Sequence, residues 1–164
     1  MIVAKVGLAF GDALGLTISS YLGPDQANNT DHWRATFDVT GVSKHGNTTL
    51  NFQANYGFEQ KVTMAGEDDS WFGFGIQPVF KLADRLSLGV RGEMFRDDKG
   101  SRGGAVPQAL LFNVSVAPAF SLTPNLVLRV EARVDVSNKD AFEAHDGTAK
   151  NNQIVGMAEA LTSF

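Results

Sequence analysis

The feature that most constrains this chain is a hydrophobic period of two. Side chains of a β-strand point alternately to opposite faces, so this period predicts strands with one apolar and one polar face. Nine segments carry it: 2–10, 14–22, 32–42, 48–60, 70–82, 86–96, 108–121, 125–137 and 152–164. In 125–137, Leu126, Leu128, Val130, Ala132, Val134 and Val136 share one face, and Arg129, Glu131, Arg133 and Asp135 share the other. In 86–96, Leu86, Leu88, Val90 and Met94 oppose Ser87, Arg91 and Glu93; only Arg96, near the strand end, breaks the pattern. In 48–60, Leu50, Phe52, Ala54, Tyr56 and Phe58 oppose Asn51, Gln53 and Asn55. In 32–42, Trp33, Ala35, Phe37 and Val39 oppose Arg34, Thr36, Asp38 and Thr40.

The strands also repeat in pairs. Phe74, Ile76, Pro78, Phe80 and Leu82 align with Val114, Val116, Pro118, Phe120 and Leu122, and Leu86, Leu88 and Val90 align with Leu126, Leu128 and Val130, at one constant offset. A repeated hairpin is the unit of an up-and-down sheet or barrel. Pro78 and Pro118 lack an N–H, so each is expected to interrupt a ladder near the short-turn end.

The connections alternate in length. Short ones lie at 11–13, 43–47, 83–85 and 123–124, and long polar ones at 23–31, 61–69, 97–107 and 138–151. Outer-membrane barrels have this asymmetry, with short periplasmic turns and longer outer loops. No run of about 18 apolar residues is present, which excludes a transmembrane helix but not a barrel, whose strands need about ten residues each.

Period two fits two facings. A lipocalin-like soluble ligand-binding barrel puts its apolar face inside; an outer-membrane barrel puts it outside. Three features favour the second. Phe10, Phe80 and Phe120 precede short turns, while Trp33 and Trp71 follow long loops, which predicts two interfacial aromatic rows. The polar face carries both signs of charge on neighbouring strands, as a wet lumen permits. The last strand ends on Phe164.

At Trp71–Arg102 the sequence resembles the OmpL-like putative β-barrel porin family. Its short turn motif is matched by Asp84, Leu86, Ser87 and Leu88, followed by Arg91, Gly92, Glu93, Phe95, Asp97 and Gly100. The next hairpin is similar through Arg129, Glu131, Arg133, Asp135 and Ser137. The resemblance is best over 70–164. It implies an outer-membrane protein passing small polar solutes by passive diffusion. It also implies contact with outer-membrane lipid and lipopolysaccharide, and with the barrel-assembly machinery through the strand ending in Phe164. The last strand is a weak match, with Ala158, Ala160 and Thr162 where larger apolar residues are expected.

The expected fold is therefore all-β, an antiparallel up-and-down transmembrane β-barrel in one domain over 1–164. Nine strands conflict with the even number usual in bacterial barrels. Either 2–10 is not a strand and the barrel has eight, or the nine are the C-terminal part of a larger barrel, incomplete at its N-terminus. An eight-stranded barrel is filled by side chains, which implies a structural or adhesion role. Residues 1–9 do not read as a secretory signal, because Lys5 interrupts the apolar run. The lumen-lining residues are expected to be Arg34, Asp38, Arg91, Glu93, Arg129, Glu131, Arg133 and Asp135.

No catalytic chemistry is expected. The chain has no cysteine, and His32, His45 and His145 are scattered without metal-ligand spacing. Nothing selects a Ser–His pair from Ser70 or Ser137 with His32 or His145, as a lipid hydrolase requires. The glycine-rich stretch 99–104 lacks the strand–loop–helix context of a phosphate site. The acidic runs 67–69 and 97–98 read as solvated loop charge rather than a divalent-ion site. A net charge of −4 argues against nucleic acid, and no cofactor is implied.

Overall fold

A computed structural model describes residues 1–102 and 106–163. Eight successive antiparallel strands form most of one sheet: β1 Ile2–Phe10, β2 Leu14–Pro24, β3 Trp33–His45, β4 Thr48–Glu59, β5 Asp69–Ala83, β6 Leu86–Asp97, β7 Ala109–Thr123 and β8 Leu126–Ser137. The chain then makes a small hairpin, β9 Phe142–Glu143 with β10 Ala149–Lys150, and returns as β11 Asn152–Thr162 along β8. The nine long strands coincide with the nine alternating segments. The small hairpin was not expected, because two-residue strands leave no period to read. Among the described residues there is no helix, so none is long and apolar enough to cross a membrane.

The sheet order is β1-β2-β3-β4-β5-β6-β7-β8-β11, and β1 does not pair with β11. The fold is thus an up-and-down sheet that is not closed into a barrel. The eight-strand alternative fails because β1 pairs with β2 along its whole length, from Ile2 opposite Leu22 to Phe10 opposite Leu14. The turn that aligns them places Gly11 at a φ of +60°, where a side chain is strained.

Curvature separates the two faces. No second layer covers either side, yet the charged face is the less exposed. In β8, Val130 is 55% exposed while the Glu131 side chain is 11% exposed. The buried residues include Glu59, Asp69, Asp97, Ser115, Asp135 and Ser137; Phe37, Phe74, Phe112, Val114 and Val134 stand exposed. The sheet therefore curls around its polar face, which we call inner. An apolar-inside barrel of the lipocalin kind is the opposite of what the fold shows.

The hairpin repeat extends to its irregularities. The β5–β6 ladder has no partners at Gln77 and Pro78 and shifts register between Lys81 and Ala83. The β7–β8 ladder has none at Ala117 and Pro118 and shifts between Ser121 and Thr123. On their other sides Pro78 still pairs with Leu50 and Pro118 with Leu88, so each proline's missing donor falls toward the following strand. Both strands continue through their prolines to the turn.

Phe10, Phe80 and Phe120 form the expected outer row near the short turns, and Trp33 stands exposed near the long loops. Trp71 does not join it. It shares strand parity with Gly73, Gly75 and Gln77, faces inward, and is buried at 9% exposure. Tyr56, Phe72 and Phe112 occupy the outer face at that end instead. Phe164 lies outside the described residues, as does part of the glycine-rich stretch.

Candidate functional site: the inner face

Strand register places all eight expected residues on the inner face. In the middle of the sheet, Arg91 of β6 reaches over β7 and donates from Nη2 to Glu131 Oε1 of β8 at 2.9 Å. Beneath the pair lie Ser115 and Ala117 of β7, small enough to be covered by it and both buried. Arg91 Nε also lies 3.7 Å from Glu93. Glu93 in turn accepts from Asn113 Nδ2 at 2.7 Å.

The other expected charges pair both within the predicted set and with residues outside it. Arg133 pairs with Asp135 at 3.1 Å, and Asp135 also accepts from Gln153 of β11 at 2.7 Å. Arg129 meets its register neighbour Glu159 at 2.5 Å. Asp38 accepts from Gln53 at 2.6 Å. The inner face is thus a mixed ladder in which carboxamides intersperse the ions, rather than a ladder of ions alone.

Arg34 belongs to a second cluster near the long loops. Its Nε lies 2.7 Å from Glu59, whose side chain is 2% exposed, and it also pairs with Asp25. Arg102, from the loop after β6, reaches the same Glu59 and stacks its guanidinium 4.6 Å from the centre of the Trp71 ring. This cation–π geometry keeps a partly desolvated cation favourable. Trp71 lies against Gly57, its register neighbour, where any Cβ would collide with the indole. Burial pushes the Arg102 guanidinium below its ordinary pKa, and nearby Arg34 pushes it the same way.

Two carboxylates hold that loop inward. Asp69 accepts from the backbone of Ser70 and of Lys99, at 2.7 and 2.8 Å, and from Ser101. Asp97 accepts from Gly100 and Arg102 backbone N–H groups at 2.9 and 2.5 Å. Both are almost fully buried, which corrects the reading of 67–69 and 97–98 as uniformly solvated charge. Their strand-end positions satisfy turn donors that would otherwise be orphaned. Asp98 is half-exposed and pairs with Arg96, which stands on the apolar face. Sequence reasoning missed Glu59, Asp69 and Arg102, although the parity of Trp71 and the glycine opposite it pointed to an inward aromatic.

Within the described residues, no group of His, Cys, Asp and Glu has metal-binding geometry. His32 contacts Asn29 and His45 contacts Ser43, each within its own turn or strand end.

An antiparallel up-and-down wall, polar on its concave side and apolar on its convex side, defines the β-barrel porin class. The chain belongs to the family described as putative beta-barrel porin-2, OmpL-like, whose model matches residues 1–164, the whole chain. Comparison with curated proteins and with solved structures finds no match. Membership of a porin family suggests a porin-like protein of the bacterial outer membrane and a non-enzyme.

Proposed function

We propose that the chain forms part of the wall of an outer-membrane porin, passing small polar solutes by passive diffusion. The observation that carries this reading is the inverted exposure: apolar side chains cover the convex face and ions line the concave one. In water so large an apolar surface is unfavourable, whereas hydrocarbon matches it. Arg34, Asp38, Arg91, Glu93, Arg129, Glu131, Arg133 and Asp135 then line the lumen, and pore width and their fixed charge set selectivity. Lipid and lipopolysaccharide are the partners of the convex face. Assembly by the barrel-insertion machinery proceeds through the last strand, β11, and the Phe164 that follows it in sequence.

An unpaired strand edge is not tolerated in a bilayer, because its N–H and C=O groups find no water there. The open edges β1 and β11 therefore require further strands beside them, so the nine are read as part of a larger barrel. The full chain is expected to partition into vesicles and to raise their conductance. Recovery as a soluble monomer without detergent overturns this reading. Stable insertion without conductance overturns the diffusion role and leaves the wall.

A further inference from the structure

We propose that the concave face over β4–β8 and β11 carries a subsite for a neutral mono- or disaccharide. The inference rests on the porin reading and deepens it by naming a solute class. A groove of about 340 Å³ lies there, within the size range of small-molecule sites.

Three features of the groove select the ligand. Its charges are already engaged: Glu93 with Asn113, and Arg133 with Asp135. An ionic solute would have to break these pairs, while a neutral one leaves them intact. Its uncharged polar groups are carboxamides, which donate and accept as hydroxyls do. The Asn55 side chain has no hydrogen-bond partner among the described residues, and its amide lies over Gly73 of β5. Gly73 and Gly75 add no side chains of their own to this part of the floor, which the Asn55 amide and the Glu93 side chain cover instead, so a solute meets these polar groups directly.

The third feature is apolar. Phe95 and Leu111 break the polarity of the inner face, and both line the groove. Phe142 joins them from β9, so the small hairpin brings an aromatic to a polar groove. Carboxamides beside an aromatic ring match the two sides of a sugar, its hydroxyl rim and its C–H face.

Maltose is the probe, with lysine as an ionic control. Saturation-transfer NMR on the full chain in detergent micelles is expected to show saturable maltose binding that lysine does not displace. Phe142→Ala and Asn55→Leu are each expected to weaken it about tenfold or more. Phe142→Trp keeps a stacking ring, and its fluorescence is expected to change as maltose binds. Phe142 lies outside the nine-stranded sheet, so its variants leave that sheet in place. No saturable binding, displacement by lysine, or unchanged affinity in Phe142→Ala and Asn55→Leu overturns the proposal. Vesicle partition of the same preparation separates the two readings: insertion without maltose binding removes the subsite alone, and failure to insert removes the porin reading.

Discussion

The hairpins β5–β6 and β7–β8 share one backbone plan but treat their two faces differently. On the convex face the repeat is conservative: Ile76 matches Val116, Pro78 Pro118, Phe80 Phe120, Leu88 Leu128 and Val90 Val130. On the concave face it inverts: Arg91 matches Glu131, and Glu93 matches Arg133. Arg91 and Glu131, equivalent residues of the two copies, are bonded to each other. One face answers to a uniform apolar surrounding, so apolar residues replace one another along its middle, and it diverges toward the long-loop end, where Ser70 matches Leu110 and Arg96 matches Val136. The other answers to its neighbours, where opposite signs on equivalent positions are what permit pairing.

The loops after the two hairpins diverge as well. After β6 the chain folds inward onto Asp69 and Asp97; after β8 it makes its own hairpin. The position equivalent to Asp97 is Ser137, which is also buried and whose Oγ accepts from the Lys139 backbone. A strand-end acceptor is retained while the loop it organises changes.

The contrast between faces can be broken by substitution. The largest effect is expected at the dry end of the concave face, where Glu59→Leu leaves Arg34 and Arg102 without their shared carboxylate. Loss of one partner from a buried ion pair costs roughly 3–5 kcal/mol. Urea unfolding in lipid vesicles reads the cost, and proteolysis of the loop after β6 is expected to accelerate. On the convex face, Val130→Arg is expected to cost about 2–4 kcal/mol near the membrane midplane, and the equivalent Val90→Arg a similar amount. A small cost at either position breaks the assignment of faces.

Arg91→Glu is expected to cost about 1.5–3 kcal/mol, the range of a charge-assisted hydrogen bond. The double variant R91E/E131R should recover most of it, as a double-mutant cycle detects; no recovery means that the two copies are not coupled. Arg129→Val removes only a half-exposed pair and should stay within about 1 kcal/mol. Equal costs for Arg129→Val and Val130→Arg contradict the curvature.

The smallest effect concerns the loop after β8. Asp146 accepts from the Thr148 hydroxyl and backbone N–H, which holds its carboxyl below the ordinary value. A depressed folded pKa means the contribution is present above the unfolded value and is lost as pH falls through the folded one. The protection factor of the Thr148 amide, its exchange relative to an unstructured amide at the same pH, should therefore be constant near neutrality and fall only below about pH 4.

Strand positions and facings were legible because each strand writes its own period of two. The repeat was legible because both hairpins use the same apolar face. Asp69, Asp97 and Arg102 were not, because their partners lie in loops, where no period exists and position depends on contacts distant in sequence. Trp71 was misplaced by weighing its residue type and nearness to a loop above its parity. Strand count was readable from Ile2–Phe10, whose alternation is as regular as its neighbours'.

The strand order has a kinetic consequence. Every pairing in the sheet joins strands that follow one another in the chain, save that the small hairpin intervenes between β8 and β11. Each seam joins strands near in sequence, across a turn of a few residues or one of the longer loops, and such local closures cost little chain entropy and favour fast folding. The wall can grow strand by strand as the chain is delivered, with each strand templated by the one before. The open edges, β1 and β11, have no such local guide among the described residues.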